Sequence, residues 1–384
     1  MRTHRCSTLS VVAVTLVVAS SLGCSSTSKI STSDTMYVAA RASHGVWGYY
    51  ADFNIGSLTK INGSPFSAQQ APTAIAINPA HTFAYVSNAK SNTITGYTFD
   101  LNGSMIANGN QASGPNPVAL AIDSAGKFLF VANQGTAAPV FAAGDLSVFS
   151  IGASGSLTPV QTNVPLPDLQ CPAIQALSCP APVALAITPT SSFLYVADQS
   201  QNLVFTFAVG PATGELTPDA TLPAVSTGNA PSGLAMNATG TLLYVPNRDS
   251  ESVSGFVISA DNSLNPGALT AIPGSFATEL SPVAAAVDPS GAYLYVADKG
   301  SNQVTGFKIK AVTGTLSALS NSPYSSGTAP VWIAISPTNK FLYVSNSGSA
   351  SLSAYNIDPT TGNLIPASGT VGTGVQPAGI AFGR

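Results

Sequence analysis

The residues able to do acid–base or anion-binding chemistry in this chain are few. Its 384 residues include 3 His, 13 Lys plus Arg and 16 Asp plus Glu. His44 is the one histidine placed to act as a base. His4 belongs to an N-terminal export signal, and His81 lies in the Asn78-Pro-Ala-His-Thr82 turn, on the opposite face. Arg41 suits a carboxylate or phosphate, because a guanidinium offers a planar fork of donors. Arg248 with Glu251 can do similar work from nearly across the same mouth. A base that activates water, beside cations that hold an oxyanion, is the machinery of a hydrolase. His44, Arg41, Arg248 and Glu251 are therefore the catalytic candidates. Asp198, Asp298, Lys299 and Trp332 are the ligand-binding candidates. The competing reading is that strand-ending loops hold charges in any protein, and that Asn and Asp serve there as turn formers. No nucleophile elbow, phosphate loop, zinc motif or calcium loop is present, so no cofactor and no metal is expected.

These residues sit on a repeat. A Tyr-Val or Phe-Val step recurs at Tyr37, Tyr85, Phe130, Tyr195, Tyr244, Tyr295 and Tyr343. The spacing, mostly about 45 to 50 residues, is that of propellers and other repeat arrays. Such a unit is too small to bury its own apolar face, so copies must pack side by side. Pro282 to Tyr324 reads as one unit. A short apolar strand from Pro282 to Val287 meets an Asp288-Pro-Ser-Gly291 turn. A β-branched and aromatic strand, Ala292 to Ala297, follows. Gln303 to Ile309 alternates as a third strand, and a weaker outer strand completes four antiparallel strands.

The first strand starts after Pro72, Pro117, Pro182, Pro231, Pro282, Pro330 and Pro377, and each proline has an alanine four residues later. Proline is tolerated where a strand begins. The small side chain fits where blades converge on an axis. Trp332 breaks the small-residue rule: its counterparts are Ala74, Ala119, Ala184, Gly233, Ala284 and Gly379. It either plugs the central channel or forms a stacking platform at its mouth. The chain opens with a second strand at Met36 and ends with an isolated first strand at Ala378–Phe382. Seven blades result if both ends share blade one, which removes the open edges. The fold expected is all-β, a seven-bladed β-propeller over 36–384.

Charged residues are 8% of the chain, against about 25% in an average soluble protein, so no basic face exists for nucleic acid. Arg2 and Arg5 precede an apolar stretch, Leu9 to Leu22, too short for a spanning helix. It ends in Ser21-Leu22-Gly23-Cys24, which resembles a bacterial lipobox. That resemblance implies a signal peptide over 1–23, lipidation of Cys24 and a location in the cell envelope, periplasmic or at the surface. An ordinary signal peptide ending near a cysteine is the alternative. Residues 24–35, rich in Ser and Thr, read as a disordered tether. Cys171 and Cys179 share a Pro-rich insertion, Leu166 to Pro182, and are expected to form a disulfide. A two-cysteine metal site is the alternative, without a His nearby to complete it.

The quartets Tyr85-Val-Ser-Asn88, Phe130-Val-Ala-Asn133, Tyr195-Val-Ala-Asp198, Tyr244-Val-Pro-Asn247, Tyr295-Val-Ala-Asp298 and Tyr343-Val-Ser-Asn346 resemble the repeat of the lactonase-like seven-bladed propellers. Gly63-Ser-Pro-Phe66 and Asn321-Ser-Pro-Tyr324 look like that family's blade ends. The resemblance implies a 6-phosphogluconolactonase-type hydrolase or a muconate cycloisomerase relative. Two function classes follow. One is an exported, lipid-anchored scaffold that binds a small polar molecule or a protein at the propeller mouth without catalysis. The other is a sugar-lactone hydrolase. The scarce charge and the lack of a phosphosugar-type cation cluster favour the scaffold as the expectation.

Overall fold

The computed structural model describes residues 33–136, 142–167, 179–219, 221–367 and 371–383. Each Tyr-Val quartet lies in the second strand of a blade, and these strands are the most deeply buried in the molecule. In blade six, the inner strand Pro282–Val287 pairs with Tyr293–Asp298, which pairs with Gln303–Ile309. Two short pieces, Leu316–Ala318 and Tyr324–Ser325, complete the outer edge. The expected Asp288–Gly291 turn is closed by Gly291 N donating to Asp288 O at 2.8 Å, with φ of +73° at the glycine. That left-handed value is one an L side chain rarely takes.

Seven such antiparallel sheets form the ring, as the repeat count requires. The C-terminal strand Pro377–Phe382 pairs with the N-terminal Ser33–Ala40, with Tyr37 opposite Ala381 and Val38 opposite Ile380. The two chain ends thus share blade one. Its strand starts earlier than expected: Ser33, Asp34 and Thr35 pair with Asp52, Ala51 and Tyr50. The end of the proposed 24–35 tether is therefore strand, because the eight-residue Gly45–Asp52 offers it a ladder to complete. Blade five departs in the other direction. Its inner strand is reduced to Ala235–Met236. Pro246 occupies the third place of that quartet and has no N–H to give the ladder. Gly233 lies where a Cβ would come within 3.2 Å of the Pro246 ring.

Neighbouring blades are fastened by the quartet tyrosines. Tyr85 Oη donates to Gly155 O at 2.9 Å, Tyr195 to Gly267 at 2.8 Å, Tyr244 to Gly314 at 2.7 Å and Tyr295 to Gly362 at 2.6 Å. Tyr343 to Gly56 and Tyr37 to Gly103 carry the series through the closing blade. Each acceptor is a positive-φ glycine in the outer hairpin of the next blade. Burial raises these phenols, Tyr37 to about 12, so they stay protonated donors. Blade three has Phe130 instead, and its seam to blade four lacks the bond. There Gln161 bridges the outer strands, accepting from Leu216 N at 2.6 Å.

Cys24, Cys171 and the expected signal peptide lie outside the described residues. Cys179 is buried and disulfide-bonded.

Candidate functional site

The second strand of each blade ends at one mouth of the ring, and the residues there have divided roles. The last quartet residue is buried without exception: Asn88, Asn133, Asp198, Asn247, Asp298 and Asn346 are all 0% exposed. Asn88 Nδ2 donates to Thr95 Oγ1 at 2.9 Å, and Asn346 Nδ2 to Ser353 Oγ at 2.9 Å. Asp198 accepts from Ala181 N at 2.7 Å, Ser200 N and Oγ, and Gln201 N. Burial raises its carboxyl even against those bonds. Asp298 accepts from Thr305 Oγ1 at 2.6 Å, while its Oδ1 is buried without a partner. Burial, with the nearby Glu279 charge, pushes this carboxyl up to about 7. Asp198 and Asp298, expected at the mouth as ligand groups, are instead internal ties of their own loops.

The next residue along each loop sits at the rim, and in four blades it lines the cavity below. These positions are Arg41, Ala89, Gln134, Gln199, Arg248, Lys299 and Ser347. All are pinned alike, each backbone N–H bonding to the carbonyl of the residue before the neighbouring inner strand. Arg41 N to Gln376 O, Arg248 N to Ala230 O and Lys299 N to Ser281 O are each 2.9 Å. The series holds three cations, two amides and no carboxylate. Asn116 Nδ2 donates to Gln134 Oε1 at 3.1 Å, and Gln134 Nε2 to Gln199 Oε1 at 3.3 Å, which fixes the amide pair.

Below this rim lies a cavity of about 490 Å³ on the propeller axis. The residue after each inner-strand proline lines its wall, from Thr73 round to Ala378, with valine in four blades. Arg41, Gln134, Lys299, Trp332 and Ser347 line it, together with the polar side chains of Thr73, Ser232 and Gln376. Neither the Arg41 guanidinium nor the Lys299 ammonium has an ion-pair partner among the described residues. Blades six, seven and one are consecutive, so Lys299, Trp332 and Arg41 form one arc. The amide Gln134, with Val118 and Val183, faces them. Unpaired cations beside an apolar wall attract and orient an anion or a developing oxyanion.

The structure thus brings Arg41, Lys299 and Trp332 together and leaves the other candidates outside this cavity. His44 is an exposed turn residue with φ of +50°. Its Nδ1 accepts from Ala71 N at 3.2 Å. Asn202 and Asn302 make the same bond to Ala230 and Ala329 in later blades, each at 2.7 Å. His44 therefore takes an asparagine's structural place and keeps no free lone pair at Nδ1. Glu251 occupies the equivalent turn position with φ of +50°. Arg248 turns away to its neighbour, Nε to Asp249 Oδ1 at 2.7 Å, in an exposed ion pair. That bond raises the guanidinium and lowers the carboxyl. Gln134 and Gln199 are neither charged nor an exception to a repeat position, so their chemistry offers no reason to single them out in the sequence. The signal that finds them is their place, one residue past the quartet.

A family model described as "Lactonase, 7-bladed beta-propeller" matches residues 46–174, 142–265 and 262–377. The 6-phosphogluconolactonase of Yersinia pestis is 26% identical over 277 residues, covering 71% of this chain and 76% of that protein. The enzyme of the same name from Pectobacterium atrosepticum is 26% identical over 306 residues, covering 71% and 90%. The structure of a periplasmic gluconolactonase from Pseudomonas aeruginosa superimposes with a TM-score of 0.79 at 21% identity, covering 92% of this chain and 99% of that one. These matches correct the expectation of a scaffold without catalysis: the model is one of lactonases, and the named relatives are 6-phosphogluconolactonases.

Proposed function

Because the chain belongs to the seven-bladed β-propeller lactonase family, we propose that it hydrolyses a sugar lactone in the cavity at the propeller mouth. In this reaction a water oxygen bonds to the lactone carbonyl carbon and the ring C–O bond breaks. The water's protons end on the released hydroxyl and in solution, leaving a hydroxy-carboxylate. The observation that supports the reading is the convergence of unpaired Arg41 and Lys299 on one cavity. As water adds, the carbonyl oxygen gains charge, and fixed cations stabilise that charge more than they stabilise the neutral lactone. The same cations hold the carboxylate product. The described lining has no imidazole or carboxylate, so these residues contribute electrophilic stabilisation and orientation rather than proton abstraction.

The reading includes export: a signal peptide over 1–23, lipidation at Cys24 and a place in the cell envelope, with membrane contact through the lipid alone and no nucleic-acid partner. The Cys171–Cys179 pairing is part of the same proposal, supported by the bonded state of Cys179. The test of function is continuous titration of acid release from a panel of aldono-lactones, with and without a 6-phosphate. Release above the buffer rate supports the proposal, and parity with buffer across the panel removes it.

A further inference from the structure

Six of the seven inner strands place Ala or Gly where blade seven has Trp332. The indole, with Val183, Ser232 and Val283, lines both the mouth cavity and a second cavity of about 150 Å³ deeper along the axis. Trp332 is half-buried and packs against the cluster containing Val38, Tyr343 and Ile380. Its indole N–H makes no hydrogen bond among the described residues. A tryptophan buried only as filler normally satisfies that donor. At the cavity, the flanking blades six and one supply Lys299 and Arg41 beside the indole. A sugar ring has an apolar C–H face and a polar hydroxyl edge. The indole matches the first, and Ser347 and Gln134 match the second.

We infer that Trp332 is the floor on which the sugar ring of the lactone lies, making it a specificity-determining residue. This rests on the lactone-hydrolase reading and narrows it to pyranose-ring lactones held by stacking at one face. Stacking acts on substrate and transition state alike, so it governs KM more than kcat.

Trp47 and Trp332 are the chain's 2 tryptophans, which permits a direct test. The Trp47→Phe protein reports Trp332 alone, and Trp332→Phe reports Trp47 alone. Titration with D-glucono-1,5-lactam, a hydrolysis-resistant cyclic analogue of the lactone, is expected to change Trp332 fluorescence saturably and to leave Trp47 unchanged. In kinetics with D-glucono-1,5-lactone, Trp332→Ala should raise KM on the order of tenfold with kcat within about threefold, and Trp332→Phe should restore most of the loss. The alanine variant copies four sister blades, and its melting curve checks its fold. If the parent hydrolyses the lactone but Trp332 stays silent and Trp332→Ala keeps the parent KM, the platform is overturned and hydrolysis stands. A saturable Trp332 response without hydrolysis supports the platform and overturns hydrolysis. Neither signal overturns both.

Discussion

Asp298→Asn should make the protein more stable at neutral and alkaline pH, although it removes a buried hydrogen-bonded carboxyl. The Asp298 carboxyl is 0% exposed and one of its oxygens has no partner. In blades three and seven, Ser113 and Ser326 donate to the corresponding asparagine oxygen at 2.8 and 2.9 Å. Blade six has Thr278 there, and its hydroxyl turns to the Glu279 carbonyl instead. Burial and the Glu279 charge push Asp298 from 3.8 up to about 7. The folded value is the higher one, so folding retains the proton. The stabilisation is complete below the unfolded value near 3.8 and is lost as pH rises through about 7. At about 1.4 kcal/mol for each pH unit, the loss approaches a ceiling of about 4 kcal/mol. Asparagine does not titrate, and its Nδ2 can donate to Thr305 as Asn88 donates to Thr95 at 2.9 Å. Urea unfolding of both proteins from pH 4 to pH 8 measures the difference. The variant should gain about 2 to 4 kcal/mol on the parent over that range. Asp198 titrates in both proteins and cancels. A stability difference that stays flat with pH would refute the reasoning.

Phe130→Tyr should supply the missing seam bond to the carbonyl of Gly214, which has φ of +72° like its six counterparts, and add about 0.5 to 1.5 kcal/mol by chemical denaturation. Tyr195→Phe should cost a similar amount by breaking the equivalent bond to Gly267. His44→Asn should keep both stability and turnover, because asparagine does this work in other blades, while His44→Ala should lose about 1 kcal/mol of stability with turnover kept. A large fall in kcat in both folded His44 variants would restore it as a base. Cys24→Ala should release the protein from membranes on fractionation while leaving its melting curve unchanged.

The fold was legible because a closed repeat repeats its constraints. The prolines, small inner residues and tyrosines each mark one strand in every blade, and the unmatched strands at the two ends specify the closure. The site was less legible, since a sequence shows which residues share a loop but not which way each points. Asp298 and Lys299 are adjacent, yet one is buried in the blade and the other lines the mouth. His44 drew notice as a rare imidazole, although its turn position asks only for an acceptor. Arg248 shares the rim position of Arg41 and Lys299, but Asp249 beside it claims the guanidinium. Trp332 was legible as an exception. Which cavities it touches required the ring to be closed.

The most direct test of the account is the rate of D-glucono-1,5-lactone and 6-phosphoglucono-1,5-lactone hydrolysis by the parent, Arg41→Ala, Lys299→Ala and Glu251→Ala proteins. The account predicts parent turnover of at least one lactone well above buffer. It predicts kcat/KM lowered by about ten- to a hundredfold in the Arg41 and Lys299 variants, and a parent-like rate in the Glu251 variant. No turnover in the parent, or Arg41 and Lys299 variants as active as the parent, would contradict it.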